Sequence, residues 1–246
     1  MKTTGNTIFF TGGTSGLGLG LARRFRDLGN TVIISGRRQD LLDRIAAEDS
    51  IEGVALDVAD PASIARAFEQ VTSAHDVNVL MTMAGIMQVE DLHDPAHLAT
   101  SEETIGINLL GTIRTITAFT PYLLKQADPA ILTVSSGLAF VPLAMTPTYS
   151  ATKAAVHSYT QSLRAQLANT PLQVIEVVPP AVRTALLNQE DDERAMPLDE
   201  YLDETMELLQ THPDADEILV DRVRILRDAE RENRYDQVIG ILNSVG

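Results

Sequence analysis

The sequence predicts an α/β protein built on a doubly wound parallel β-sheet, with helices on both faces of the sheet. Short apolar runs rich in β-branched residues alternate with longer helical stretches, and a glycine-rich turn follows the first run. Several runs are apolar on both faces, as strands buried between two helix layers are. Such regular alternation implies right-handed crossover connections.

The individual elements follow from this alternation. Strands are predicted at Thr7–Thr11, Thr31–Ser35, Gly53–Asp57, Val77–Met81, Ala130–Ser135, Leu172–Val178 and Glu217–Val220. Helices are predicted at Leu17–Leu28, Gln39–Ala47, Pro61–Ser73, Glu102–Lys125, Tyr149–Ala168 and Leu198–Leu209. Asp60 and Pro61 mark a helix start, because an acid caps the first turn and proline is tolerated at its first position.

No Pro/Gly/Ser-rich linker divides the 246 residues, so we expect one domain over residues 1–246. Its cofactor-binding part covers about residues 1–184, a substrate lid covers about 185–200, and a C-terminal helical segment covers about 222–243. The irregular stretch Ala185–Pro197 is expected to close over the substrate. Its acidic run, Glu190–Glu193, is interpreted as a solvated loop rather than a cation site.

Composition narrows the function classes. The formal net charge of −15 argues against nucleic acid and against an anionic membrane surface. The chain has no cysteine, which excludes disulfides, thiolate chemistry and cysteine-based metal sites. The amino-terminal residues lack the long apolar region of a signal peptide, so we expect a cytoplasmic protein.

The turn after the first predicted strand suits a dinucleotide. Gly12, Gly16 and Gly18 avoid a clash with a pyrophosphate, and the free N–H groups at the start of the Leu17 helix can bind phosphates. The spacing Gly-x-x-x-Gly-x-Gly differs from the general fingerprint. A purely structural turn is the alternative interpretation.

The end of the second predicted strand indicates which cofactor binds. Sites for NAD usually place an acid there, whereas sites for NADP place basic groups there. Here Ser35 and Gly36 are followed by Arg37 and Arg38, and the first acid is Asp40. The sequence therefore predicts NADP(H) over NAD(H), with Arg37 the better candidate. The alternative is that the arginines are solvated residues of the helix start.

A second motif carries proton chemistry. Tyr149 and Lys153 are four residues apart and share one face of a helix, and Ser136 lies thirteen residues before Tyr149. A nearby ammonium is expected to lower the pKa of the Tyr149 hydroxyl, which then exchanges a proton with a substrate. Ser136 would hold a carbonyl oxygen as charge develops on it.

With these motifs in order, the first 185 residues resemble the short-chain dehydrogenase/reductase family. The resemblance implies a Rossmann-type fold and a homodimer or homotetramer packed through the Glu102–Lys125 and Tyr149–Ala168 helices. It implies that Asn108 positions a water in the proton relay, beside the catalytic residues Ser136, Tyr149 and Lys153. The implied cofactor-binding residues are Gly12, Thr14, Ser15, Gly16, Leu17, Gly18, Arg37, Arg38, Asp57, Val58, Ala84, Gly85, Asn108, Tyr149, Lys153, Pro179, Val182 and Thr184.

The sequence departs from the family pattern in two places. Thr82 and Met83 replace two asparagines, which removes side-chain hydrogen bonds that steady the neighbouring strands. Pro180 stands where glycine is usual and stiffens the turn into the lid. The stretches Ser135–Ala144 and Arg227–Asn233 further resemble a bacterial branch named as oxidoreductases associated with lipoteichoic acid D-alanylation, a name that does not identify a substrate.

The resemblance also locates a substrate pocket, in the segments that follow Ser136 and Thr184. Its predicted residues carry no fixed charge and are mostly apolar: Leu138, Ala139, Leu143, Pro180, Ala181, Leu186 and Leu187. We therefore expect a neutral, hydrophobic ketone or aldehyde rather than a charged keto acid. No metal site is predicted, because the histidines lack ligand spacing. His157 is assigned to packing or a subunit contact.

Together these features predict an NADP(H)-dependent carbonyl reductase or alcohol dehydrogenase. A dinucleotide-sensing binding protein with the same fold but no turnover is the rival from another class. A dehydratase or epimerase that uses the same cofactor cradle is the third interpretation, and it would form product without net cofactor consumption.

Overall fold

The sheet has seven strands in the order β3-β2-β1-β4-β5-β6-β7, and every pairing is parallel. The computed structural model describes residues 1–244. The strands are β1 (Thr7–Thr11), β2 (Thr31–Gly36), β3 (Glu52–Ala55), β4 (Val79–Thr82), β5 (Ala130–Val134), β6 (Gln173–Val177) and β7 (Glu217–Ile218). The doubly wound parallel sheet predicted from the sequence is confirmed.

Helices connect the strands on both faces. They are α1 (Gly16–Asp27), α2 (Gln39–Asp49), α3 (Pro61–Ala74), α4 (His97–Thr104), α5 (Thr112–Leu123), α6 (Pro147–Leu167), α7 (Leu198–Thr211), α8 (Arg224–Arg227) and α9 (Tyr235–Asn243). A π-helical turn, Ile105–Gly111, joins α4 to α5. Within residues 1–244, no helix combines the length and the apolar character that crossing a bilayer requires.

Two apolar layers form because successive strand residues point to opposite faces of the sheet. Ile8 and Phe10 of β1 belong to the layer beneath α1 and α7, whereas Phe9 belongs to the layer beneath α3 and α5. Phe9 stacks on Phe119 of α5 with ring centroids 5.3 Å apart. Burial of an aromatic side chain contributes roughly 1.5–3 kcal/mol, so both faces of β1 stabilise the sheet that carries the site.

Two predicted helices differ from the structure. The Glu102–Lys125 helix begins earlier, at His97, and contains the π-helical turn. The C-terminal segment 222–243 is not continuous, because residues 228–234 separate α8 from α9. Asn233 has a left-handed φ of 56°, and the Arg234 N–H donates to the Ala229 carbonyl at 2.8 Å. This backbone turn ends the first helix without a proline or glycine.

The strand order reverses between β1 and β4, which opens a crevice at the carboxyl ends of these strands. Thr11 bridges them there: its hydroxyl accepts hydrogen bonds from the N–H groups of Met83 at 3.1 Å and Ala84 at 3.3 Å. The hydroxyl of Thr82 donates to the Leu132 carbonyl at 3.4 Å. These two hydroxyls link the ends of neighbouring strands, and Thr82 does so at a position where the family pattern has asparagine.

Candidate active site

The glycine turn leaves space because it has no side chains. Gly12 adopts a φ of +73°, and a Cβ atom there would lie 2.7 Å from the Ala84 Cα. A Cβ on Gly18 would lie 2.2 Å from the Gly12 carbonyl oxygen. Neither contact is possible for another residue, since these neighbours are backbone atoms. Ser15 precedes α1 and makes no side-chain capping bond, so the first N–H groups of α1 remain available for phosphate.

A cavity of about 370 Å³ lies beside this turn. Its walls come from the ends of β1, β2, β3 and β4, as expected for a ligand at the reversal of strand order. Predicted cofactor residues that line it are Gly12, Thr14, Ser15, Arg37, Arg38, Asp57, Val58, Ala84 and Gly85. Ser35, Gly36, Leu56, Met83, Ile86 and Ile107 complete the lining. The lining combines backbone N–H groups, hydroxyls and two arginines, which are groups that can bind phosphate.

Residues on the cavity wall differ in how many partners hold them. Asp57 lies two residues beyond the observed end of β3, and its carboxylate accepts a hydrogen bond from the Ala59 N–H at 2.9 Å. Its own N–H donates to the Ser63 hydroxyl at 3.0 Å. Arg37 and Arg38 are exposed at the start of α2, so they are free to approach an anion in the cavity.

Ser136 and Tyr149 meet on the far side of the crevice. Ser136 follows β5 in extended backbone, and its hydroxyl oxygen accepts the Leu138 N–H at 3.1 Å. Tyr149 lies in the first turn of α6 and is buried. Burial raises the pKa of the Tyr149 hydroxyl to about 12, and a hydrogen bond with Ser136 opposes this rise. The protein groups alone therefore do not lower the pKa of Tyr149, contrary to the expectation from the sequence.

Lys153 lies one turn after Tyr149 on α6. Its ammonium nitrogen is 5.5 Å from the centre of the Tyr149 ring and donates to the Val134 carbonyl at 2.8 Å. Burial lowers the pKa of Lys153 to about 8, while the charge of Glu176 raises it. The ammonium thus lies beside the Tyr149 ring, and its own pKa is well below the ordinary value for lysine.

Asn108 lies inside the π-helical turn. Its amide accepts the Ile86 N–H at 2.8 Å and donates to the Ile86 carbonyl at 2.8 Å. A weaker contact reaches the Thr152 hydroxyl at 3.4 Å. Asn108 therefore ties the segment after β4 to α6, immediately before Lys153. π-Helical turns inside α-helices occur often at functional sites.

The remaining predicted cofactor residues are joined to both ends of the site. The Gly137 N–H, next to Ser136, donates to the Pro179 carbonyl at 2.9 Å. Thr184 lies against the glycine turn, since a Cβ on Gly16 would be 3.5 Å from the Thr184 side chain. Val182 is buried and pairs with Met196. Leu17 is partly buried against the core beneath α1.

The predicted substrate residues occupy two segments near Ser136 and Thr184. Leu138 and Ala139 form the 3-10 turn Gly137–Ala139 with Gly137, and Leu143 follows that turn; all three are partly buried. Pro180 is partly buried, Ala181 and Leu186 are exposed, and Leu187 has a left-handed φ of 57°. The backbone of Met196 forms hydrogen bonds with the backbone of Ala181 and Arg183. These bonds hold the last part of the predicted lid against the segment that follows β6.

One residue that the sequence analysis missed supports α6. Thr146 makes no side-chain cap at the start of this helix. Instead, the buried carboxylate of Glu90 accepts the Thr148 N–H at 3.0 Å and the Thr148 hydroxyl at 2.7 Å. It also accepts the Ser101 hydroxyl at 2.7 Å. Glu90 thus caps the start of the helix that carries Tyr149, although it lies 58 residues away in the sequence. Spacing along the chain does not reveal such a contact.

A second missed group surrounds His157. Its Nδ1 lies 2.9 Å and 2.8 Å from the two carboxylate oxygens of Glu176, and Glu217 is 4.0 Å away. His157, which the sequence analysis assigns to packing or a subunit contact, packs edge-on against the Phe140 ring with the ring centroids 4.7 Å apart, and it also has a buried acidic partner. An acid inside the apolar run Val174–Val178 was the available signal, because such a charge requires a partner.

A sequence model described as short chain dehydrogenase matches residues 6–195. The chain therefore belongs to the short chain dehydrogenase family, whose fold binds a nicotinamide dinucleotide, and it is an oxidoreductase of that family. The resemblance inferred from the motifs is confirmed.

Particular relatives extend the comparison. The chain is 38% identical to the uncharacterised oxidoreductase DltE of Bacillus subtilis over 252 residues, with 99% of each chain covered. It resembles a short chain dehydrogenase of Burkholderia cenocepacia solved with NADP, with a TM-score of 0.82, 24% identity, and 97% and 99% of the two chains covered. It also resembles a 3-ketoacyl-(acyl-carrier-protein) reductase of Brucella melitensis solved with NADH, with a TM-score of 0.77, 26% identity, and 87% and 93% covered.

Proposed function

We propose that the protein is an NADP(H)-dependent carbonyl reductase or alcohol dehydrogenase. The observation that carries the proposal is that Ser136 and the buried Tyr149 lie side by side, with the Lys153 ammonium 5.5 Å from the centre of the Tyr149 ring. A nicotinamide cofactor held by the glycine turn would supply or accept the hydride, and its oxidised form would carry a positive charge. That charge would oppose the effect of burial on the pKa of Tyr149.

The protein groups then divide the remaining work. In reduction, Ser136 holds the carbonyl oxygen and Tyr149 donates the proton that this oxygen receives. In oxidation, Tyr149 accepts the proton of the alcohol. Lys153 would orient the cofactor ribose and tune Tyr149, and Asn108 would hold the relay water beside α6.

The preference for NADP(H) is argued from charge at the cavity rim. Arg37 and Arg38 line the cavity at the end of β2, where an acid would repel a 2′-phosphate. The guanidinium of Arg37 can form two parallel hydrogen bonds with such a phosphate. The Brucella relative was solved with NADH, so likeness to relatives does not decide the cofactor and these side chains carry the argument.

A neutral hydrophobic ketone, aldehyde or secondary alcohol is the proposed substrate class. Leu138, Ala139 and Leu143 follow Ser136, and Leu186 follows Thr184, so apolar side chains border the place where a carbonyl would meet Tyr149. A charged keto acid would lose hydration there without a fixed partner. We expect turnover of an aryl ketone to exceed that of an α-keto acid, and equal turnover would contradict this assignment.

The decisive experiment compares Tyr149→Phe with the wild type in NADPH oxidation over a panel of ketones. Loss of the proton donor should reduce kcat by roughly 10²–10⁴-fold. Tyr159→Phe is the matched control, because it makes the same change on the same helix within the apolar layer. Wild-type protein that binds NADPH but oxidises none of it would favour the dinucleotide-sensing protein. Product formed without net NADPH loss would favour a dehydratase or epimerase.

We also propose that the protein is a homodimer or homotetramer packed through α5 and α6. An apolar groove joins the π-helical turn to the start of α6 and is lined in part by Leu92, Ile105, Leu109 and Ala151. Leu92 is 61% exposed and Ile105 is 40% exposed. Light scattering after gel filtration should give two or four chain masses, and Ile105→Lys should reduce the mass towards one chain.

A further inference from the structure

A buried acid lies behind the catalytic helix. Glu176, on β6, is 0% exposed and points towards α6, where both of its carboxylate oxygens contact His157 Nδ1. The Nδ1 atom must therefore carry a hydrogen. The side-chain amide nitrogen of Gln161 lies 3.1 Å from His157 Nε2. These contacts on both ring nitrogens hold the imidazole in place, so His157 orients the Glu176 carboxylate.

The neighbouring acid already has a cation. Both carboxylate oxygens of Glu217 contact the Arg227 guanidinium, at 2.9 Å and 3.0 Å. Arg227 is 6% exposed, and its guanidinium carbon is 4.4 Å from the centre of the Phe140 ring. The charges of the Glu217 carboxylate and the Arg227 guanidinium thus offset each other. Arg227 is therefore committed to Glu217 and leaves Glu176 to other partners.

Lys153 is a buried cation near this acid. It lies one turn before His157 on α6, and its ammonium donates to the carbonyl of Val134. Val134 follows Thr133, and Thr133 pairs with Glu176 in the register between β5 and β6. A buried ammonium with a carbonyl as its partner is costly, because a carbonyl satisfies one N–H without balancing the charge. Glu176 raises the pKa of Lys153 against the effect of burial.

We propose that Glu176 is the buried counter-charge of Lys153 and thereby a positioning residue for proton exchange at Tyr149. His157 orients the Glu176 carboxylate, and the Glu217–Arg227 pair closes the cluster on its other side. The inference rests on the proposed function, because it assigns a role to Lys153 in the reaction.

A divalent cation is the competing interpretation of the same cluster. One ligand atom from each of His157, Glu176 and Glu217 lies within 4.8 Å of the others. However, Glu217 is bonded through both oxygens to Arg227, and Glu176 through both oxygens to His157. A cation would have to displace these partners. The observed bonds therefore favour the counter-charge.

The consequence is a defined pH dependence. If Glu176 is replaced by glutamine, the ammonium of Lys153 loses its stabilising charge and deprotonates at lower pH. The alkaline limb of kcat/KM for reduction should then move to lower pH, by about one unit or more. The other charged or titratable groups around Glu176 are His157, Arg164, Asp216, Glu217 and Arg227, and all of them remain in this variant.

The test uses Glu176→Gln, with Glu52→Gln as the matched control. Glu52 is also a strand glutamate that contacts a histidine, His75 at 2.8 Å, but it lies on β3 at the opposite edge of the sheet. The chain has three lysines, Lys2, Lys125 and Lys153. Selective ¹³Cε-lysine labelling therefore gives a simple NMR titration, and Lys153→Arg assigns the Lys153 signal.

We expect Glu176→Gln to lower the Lys153 midpoint by about one pH unit or more and to move the kinetic limb with it, and Glu52→Gln to change neither. An unchanged Lys153 midpoint in folded Glu176→Gln would overturn the proposal. So would a wild-type midpoint that shifts on adding EDTA, because the three groups would then hold a cation.

If Glu176→Gln does not fold, Glu176→Asp withdraws the carboxylate by one methylene and should give a smaller shift in the same direction. No shift in folded Glu176→Asp would then count against the proposal. The NMR midpoint needs no turnover. A shifted midpoint in a protein that reduces no ketone would leave the counter-charge standing and reject the proposed function, and the reverse result would reject the counter-charge alone.

Discussion

The two ends of the crevice are built on opposite principles. At the dinucleotide end, Gly12 and Gly18 leave room by having no side chains, and the groups that would meet phosphate are backbone N–H groups and exposed arginines. At the catalytic end, Tyr149 and Lys153 are buried, and burial shifts the pKa of each away from its ordinary value. The first end should therefore be sensitive to added volume and the second to changes of charge.

The largest effect should come from volume at the dinucleotide end. In Gly18→Ala, the new Cβ would lie 2.2 Å from the Gly12 carbonyl oxygen, so the turn must move. We expect affinity for NADPH to fall by about 100-fold or more, a loss of roughly 2.7 kcal/mol, measured by isothermal titration calorimetry. The pH dependence of catalysis should keep its shape, because no charge changes.

Gly240→Ala is the matched control for this substitution. Gly240 lies in α9, where a Cβ would meet no atom within 4 Å. Alanine is the better helix former, so this variant should be more stable by roughly 0.5–1 kcal/mol and should bind NADPH as the wild type does. Equal NADPH affinity in Gly18→Ala and Gly240→Ala would contradict the claim that the dinucleotide end is sensitive to added volume.

A smaller effect is expected from charge at the same end. The wild type should bind NADPH more tightly than NADH by more than tenfold, a difference of about 1.4 kcal/mol, and Arg37→Ala should remove most of it. Arg38→Ala, the neighbouring substitution, should reduce the ratio less. Dissociation constants for both cofactors with all three proteins give the result. A wild-type ratio below about tenfold would refute the preference for NADP(H).

The sequence predicted the backbone frame better than the polar contacts around it. The β1 strand and the glycine turn depend on local patterns, namely apolar β-branched runs and residues that allow a positive φ. The turn at residues 228–234 was missed because the left-handed backbone of Asn233 and the hydrogen bond from Arg234 to Ala229 interrupt a stretch that otherwise favours a helix, and no proline or glycine marks the place. The π-helical turn was missed because it accompanies the bonds between Asn108 and Ile86, which lie 22 residues apart.

The supporting acids were the least predictable part of the site. Glu90 meets Thr148 across 58 residues, and Glu176 meets His157 across 19 residues. No spacing rule covers such contacts, since they depend on how strands and helices pack. Glu176 left one signal, a single acid in an apolar strand, whereas Glu90 lies in an irregular segment and left none.

Glu90 tests the role of charge in stability, close to Tyr149 at the start of α6. Burial opposes its ionisation, but hydrogen bonds from Ser101 and Thr148 outweigh that effect and lower the pKa of Glu90. The substitution Glu90→Gln removes the negative charge of the side chain and replaces one of its two accepting oxygens, next to the start of α6, with an amide nitrogen. We expect a cost of about 1–2 kcal/mol in the free energy of unfolding near pH 7, measured by urea denaturation. Glu103→Gln, on exposed α4 surface, should change it by less than about 0.5 kcal/mol.

The sign of the pH dependence separates the charge of Glu90 from its shape. A carboxyl with a lowered folded-state pKa stabilises the protein fully above its unfolded pKa, near 4.5, and this contribution disappears as the pH falls through the folded value. The stability difference between wild type and Glu90→Gln should therefore be constant from pH 7 to about 5 and shrink below about 4.5. A difference that stays constant down to pH 3 would mean that Glu90 supports α6 through packing, and that charge matters at this end only where Lys153 and Tyr149 lie.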